Sequence, residues 1–203
     1  MFKEVLDLLK KNRATLRVIR HEAVGTSAEV ARVRGNDPAR SAKAMVIQFK
    51  EGGETKYRLA VLPGNAQLDF DALKKLFNAK ASLVSDVKSL TGCEKGTVPP
   101  FSFWENIPVL LDQRIADISS QPPVLAVPIE GEAGERGKYI FFNAGALDRS
   151  IALNVDDYLC ITRPQMALFS KVSSGEAIAF GPRSSASERA TEAVCGAGGP
   201  IFG

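Results

Sequence analysis

The stretch Ala42-Lys43-Ala44-Met45-Val46-Ile47-Gln48-Phe49, then Glu51-Gly52-Gly53-Glu54, then Lys56-Tyr57-Arg58-Leu59-Ala60-Val61-Leu62, decides the fold. Two runs of strand length flank a turn that holds adjacent glycines. Spacing and turn chemistry together predict a β-hairpin. Lys43 stands out as a charged side chain at the mouth of an apolar run. Downstream lies Gly96-Thr97-Val98-Pro99-Pro100-Phe101. Proline lacks an N–H and fixes φ, so this segment is neither helix nor central strand but a stiff loop. A fixed cation facing a stiff, backbone-rich loop would make a pocket for an ester or a phosphate-bearing ligand.

The hairpin is flanked by helices on both sides. Phe2, Val5, Leu6, Leu8 and Leu9 recur at helical spacing and predict a helix over about residues 2–12. Leu16-Arg17-Val18-Ile19-Arg20 reads as a strand. Thr26-Ser27-Ala28-Glu29 has the capping-box pattern and starts a short helix that ends near Gly35. Asn36-Asp37-Pro38 is a loop signal. Asp69 can cap a helix carrying Leu73, Leu76 and Phe77. Ser85 can cap another with Val87 and Leu90, closed by Gly92. Three further strands follow in the segments 107–112, 139–143 and 151–153, and Asn154 begins a last helix with carboxylates in its first turn. Hairpins mixed with helices predict an α+β domain: a mixed, partly closed β-sheet or barrel with surrounding helices. Residues 1–180 form one expected domain. From about Gly181 the chain turns to Ser, Ala, Gly, Arg and Glu without apolar periodicity, so 181–203 reads as a flexible C-terminal tail.

Composition narrows the function. The 203 residues suit one ordinary domain, and 45% hydrophobic residues suffice for a real core. The net charge of +3 leaves nucleic-acid binding to a local patch. One such patch could come from Lys10, Lys11, Arg13, Arg17 and Arg20. Cys93, Cys160 and Cys195 are odd in number and widely spaced, which argues against a disulfide framework and against a metal pair. No apolar run reaches membrane-spanning length. The expected setting is the cytoplasm, with no membrane contact.

The only histidine is His21, and the chain has no Gly-x-Ser-x-Gly elbow and no Walker loop. An enzyme built from these residues works without metal, without a nucleotide cofactor and without a strong protein nucleophile. No cofactor is expected.

The combination of His21, Ala42-Lys43, Leu62-Pro63-Gly64, the run Thr91-Gly92-Cys93-Glu94-Lys95-Gly96-Thr97-Val98-Pro99-Pro100-Phe101 and Val109-Leu110-Leu111-Asp112 resembles one family. It is similar to the YbaK/prolyl-tRNA synthetase-associated domain, a group of trans-editing aminoacyl-tRNA deacylases. The resemblance spans about residues 14–165 and continues into Phe142-Asn143-Ala144-Gly145. It implies hydrolysis of a mischarged amino acid from tRNA, most often tRNA for proline, by water and the neighbouring ribose hydroxyl. The protein would supply position and electrostatics. Lys43 matches the family's lysine and would be the catalytic residue, holding the 3′ end through a phosphate, the ribose or the developing oxyanion. Gly96, Thr97 and Val98 would offer backbone N–H groups, and Pro99 and Pro100 would keep their loop stiff. Asn143 and Gly145 would line the other side, with His21 as a hydrogen-bonding wall and Asp112 as a further substrate contact. The implied partners are aminoacyl-tRNA and prolyl-tRNA synthetase.

The chain also departs from the better-known subgroups. Ala44 follows the lysine where the cysteine-clearing group has threonine and the alanine-clearing group has asparagine. Asn143 replaces a serine, and Ser150 falls near an aspartate of the cysteine-clearing group. Alanine, serine and threonine are the expected esters, ahead of cysteine. The competing expectation is a non-catalytic tRNA-binding or synthetase-associated module that kept the fold.

Overall fold

The structure is a computed structural model and describes residues 1–24, 26–125 and 136–172. Helix α1 (Phe2–Lys11) leads into strand β1 (Leu16–Arg20). Helix α2 (Ser27–Arg34) opens on the capping box: Thr26 accepts from the Glu29 N–H while Glu29 reaches back, and Gly35 closes it at φ 69°. A single 3-10 turn, Pro38–Arg40, leads into β2 (Ala42–Glu51), which pairs with β3 (Glu54–Pro63) along its whole length, from Ala42 opposite Pro63 to Glu51 opposite Glu54. Gly52 and Gly53 turn the hairpin at φ 60° and 87°, a region that side chains resist.

Next come β4 (Ala66–Leu68), α3 (Phe70–Phe77), β5 (Ser82–Leu83) and α4 (Val87–Thr91). Asp69 caps α3 as expected. The cap of α4 is Asp86 rather than Ser85, because the carboxylate accepts both the N–H and the hydroxyl of Ser89. After the proline loop lie β6 (Val109–Asp112), α5 (Gln113–Ala116), the short pair β7 (Val124–Leu125) and β8 (Arg136–Gly137), then β9 (Tyr139–Asn143), β10 (Arg149–Asn154), α6 (Val155–Thr162), β11 (Gln165–Ala167) and β12 (Ser170–Val172).

The α+β expectation holds, and of its two variants the mixed sheet is the one that forms. Five strands run in the order β11-β6-β3-β2-β5, with β3, β6 and β11 parallel and the rest antiparallel. The hairpin lies at the centre of this sheet, covered on both faces, so its strands are near-continuously apolar. Val46, Leu59, Val61 and Leu111 face one core, while Ile47, Phe49, Ala60, Leu62 and Leu110 face the other. A second sheet, β1-β10-β9, is antiparallel and packs Ile140, Phe142, Ile151 and Leu153 into the first core with Val5 and Leu9 of α1. The two sheets touch through a parallel bridge between Ser41 and Phe141 and do not close into a barrel. Strands β4, β11 and β12 carry no sequence signal because each has three residues, too few to show alternation. The expected tail, 181–203, lies outside the described residues.

Candidate active site

The absence of closure creates the site. Beyond the Ser41–Phe141 bridge, the edges of β2 and β9 diverge. The outer edge of β2 is taken up again by β5 only at Ile47 and Gln48, and by a Val84 N–H to Val46 carbonyl bond of 3.0 Å. Residues 42–45 are left along an open edge. There lies a cavity of about 590 Å³, lined by α2 (Val30 and Arg34 among others), by residues 41–46, by residues 83–85 and Val87, by Lys95, Gly96 and Val98, and by residues 141–143.

Lys43 lines this cavity, and so does Ala44. Side chains alternate along a strand, so the two leave β2 on opposite faces. Lys43 departs on the face of Met45 and Ile47, and its Nζ donates to the Ala66 carbonyl at 2.7 Å. Two of its three N–H donors have no partner among the described residues. Burial disfavours its charged form and lowers its pKa.

The loop opposite is held by its neighbours. Gly96 turns at φ 87°. Its carbonyl accepts from Asn143 Nδ2 at 3.0 Å, the Thr97 carbonyl accepts from the Gly145 N–H at 2.9 Å, and the Pro100 carbonyl accepts from the Tyr158 hydroxyl at 2.9 Å. Tyr158 is fully buried, which pushes its phenol pKa well up and keeps it a donor. Pro99 and Pro100 are buried behind the loop and do not line the cavity. Thr97 spends both its N–H and its hydroxyl on the Glu94 carbonyl. That leaves the N–H groups of Gly96 and Val98, which carry no bond within the described residues.

The remaining expected residues divide. Asn143 lines the cavity, and Gly145 acts through the loop. His21 sits behind the wall: Nε2 lies 2.8 Å from Ser150 Oγ, which in turn is 3.1 Å from Asn143 Oδ1, and Nδ1 lies 2.8 Å from the Glu22 carbonyl. Asp112 is remote from the lining. It is fully buried, caps α5 through the Arg114 N–H at 3.0 Å and accepts the Phe169 N–H at 3.1 Å. Cys93 is 4% exposed and burial pushes its thiol up, so it offers no thiolate.

Two residues of the site escaped sequence reading. Arg34 ends α2 and looks like a solvated cation at a helix C-terminus, yet it is 3% exposed. It donates to Ser41 Oγ at 3.0 Å and to Ser150 Oγ at 3.4 Å, with no carboxylate in reach among the described residues. Desolvation lowers its pKa to about 10, which leaves it charged at neutral pH. Ser41 precedes β2 and lines the cavity. Nothing local distinguishes either residue, since both are buried by strands about a hundred positions away.

Among the described residues, no three His, Cys, Asp or Glu side chains are grouped to hold a metal, and no helix is long and apolar enough to cross a membrane.

The family profile described as "Aminoacyl-tRNA editing domain" matches residues 21–125. The chain is 35% identical over 172 residues to the "Multifunctional Ser/Thr-tRNA deacylase ProXp-y" of Escherichia coli strain K12, covering 83% of this chain and 92% of that one. Among solved structures, a hypothetical protein superposes with TM-score 0.65 at 20% identity, covering 83% of this chain and 99% of the other. A candidate trans-editing enzyme for prolyl-tRNA synthetase does so with TM-score 0.64 at 19% identity, covering 84% and 96%. These two share the fold. By the profile and the sequence relative together, the chain belongs to the aminoacyl-tRNA editing family.

Proposed function

We propose that this protein clears serine and threonine mischarged onto tRNA, with tRNA for proline as acceptor and prolyl-tRNA synthetase as the enzyme whose errors it corrects, in the cytoplasm. As an editing domain it is a hydrolytic aminoacyl-tRNA deacylase that acts in trans. The choice of amino acids follows the relative named for Ser/Thr-tRNA.

The observation that carries the mechanism is an open cavity lined by Lys43 and by Gly96 and Val98, whose N–H groups have no partner among the described residues, with the only histidine outside its lining. The Gly96 and Val98 N–H groups receive the ester carbonyl and the negative charge that grows on its oxygen. Lys43 holds the 3′ end with its unused donors. Water adds to the carbonyl carbon, the ester C–O bond breaks, and the ribose oxygen leaves with a proton to become the hydroxyl. The neighbouring ribose hydroxyl sits beside the reacting bond and orients the water. The protein contributes placement and charge, as the lack of a nucleophile–base pair in the lining requires.

A panel of tRNA for proline charged with alanine, serine, threonine or cysteine tests the proposal. Release of serine and threonine is expected. Tight tRNA binding with no hydrolysis of any ester would overturn it in favour of a binding module.

A further inference from the structure

Building on the deacylase reading, we propose that Ser41 is a specificity residue: a hydroxyl forced to act as donor, which selects aminoacyl esters with a side-chain hydroxyl. Ser41 Oγ receives two hydrogen bonds, from Arg34 Nη2 at 3.0 Å and from Asn36 Nδ2 at 3.0 Å. A guanidinium nitrogen can only donate. The Asn36 amide is fixed in its orientation because the same Nδ2 donates to the Asp37 carbonyl at 2.7 Å, and a flip would set oxygen against oxygen. Both lone pairs of the Ser41 oxygen are therefore occupied, and its proton must point elsewhere.

No acceptor among the described residues receives that proton, although Ser41 is 3% exposed. A buried donor without a partner is costly, so a ligand that completes it gains the difference. Ser41 is one of the residues that line the cavity. The buried guanidinium behind it draws electron density from the oxygen and strengthens the O–H as a donor.

The ester carbonyl already has the Gly96 and Val98 N–H groups on the opposite wall. The acceptor that remains to be matched is on the amino-acid side chain. Serine and threonine carry a hydroxyl oxygen. Cysteine offers a sulfur, a weak acceptor, and alanine offers nothing. The order serine and threonine, then cysteine, then alanine follows from this one proton. Ala44 has no polar side-chain group to contribute, and of the lining hydroxyls Ser41 is the one whose oxygen receives two donors.

The test compares kcat/KM on seryl- and alanyl-tRNA for the unaltered protein, Ser41→Ala and Ser41→Cys. The preference for serine over alanine should fall about tenfold to a hundredfold in Ser41→Ala. Ser41→Cys is the nearer substitution in shape and should lose preference in the same direction. It decides alone if the alanine variant does not fold. An unchanged preference in a folded variant, or an equal loss on both esters, overturns the role of Ser41 and leaves the deacylase reading intact. Failure of the unaltered protein to hydrolyse any ester removes both.

Discussion

On the loop wall of the cavity, Asn143, Gly145 and Tyr158 each close a bond onto the 96–100 loop, and the carbonyls of Gly96, Thr97 and Pro100 are all satisfied. On the β2 wall, the Ser41 proton and two Lys43 protons have no described acceptor, and Arg34 is buried with a bare Nε. The carbonyls of the first wall are paired, as buried polar groups in a protein interior are. The second wall departs from that rule by several groups in one place. Paired groups fix geometry, so the loop presents its two free N–H groups without an ordering cost on binding. Unpaired donors gathered beside one open strand edge are an incomplete hydrogen-bond set, which under the proposed function the substrate would complete.

The sharpest way to break this contrast is Lys43→Ala. Deacylation should fall by roughly a hundredfold or more, as for loss of one preorganised electrostatic donor, with an unchanged circular dichroism spectrum. Full activity in the folded variant would show that the β2 wall does not act through this charge. Next in size is Asn143→Ala, which frees the Gly96 carbonyl and removes one partner of Ser150. A loss of about tenfold in kcat/KM is expected, with faster amide exchange at Gly96 and Val98. Activity lost without any change in exchange would mean that Asn143 touches substrate instead of steadying the loop.

The pH profile sharpens the comparison further. Burial lowers the Lys43 pKa, so its ammonium is present below that value and disappears above it. The advantage of the unaltered protein over Lys43→Ala should therefore shrink as pH rises, earlier than an exposed lysine would allow. Parallel profiles would exclude a role for the charge. The smallest effect is expected at Gly145→Ala. A Cβ there would meet Met1 side-chain atoms at 2.7 Å on a backbone at φ 78°, and a loss of about 1 kcal/mol in stability is expected from thermal melts. A Tm equal to that of the unaltered protein would show that the chain start yields freely.

Much of the fold was legible because its signals are local. The 42–62 hairpin announces itself through two apolar runs and adjacent glycines, the capping box at Thr26 through four residues, and the stiff loop through Pro99 and Pro100. The same run of residues also identified Lys43, Gly96 and Val98, all of which line the cavity. Asp112 could not be assigned from sequence, because a carboxylate at a strand end reads the same whether it caps a helix or binds a ligand. Only the Phe169 N–H, 57 positions on, shows that both its oxygens are engaged.

What the sequence determined by itself is the central hairpin, the capped helices and the stiff loop, whose signals lie in adjacent residues. What the tertiary structure alone decided is which polar groups remain unmatched. Arg34, Ser41 and Asn36 are unremarkable letters near a helix end, and they become a buried, donor-rich corner only when β9 and β10 fold over them. The reason is physical: secondary structure follows from neighbours in the chain, whereas hydrogen-bond satisfaction depends on which distant segments arrive in the same space.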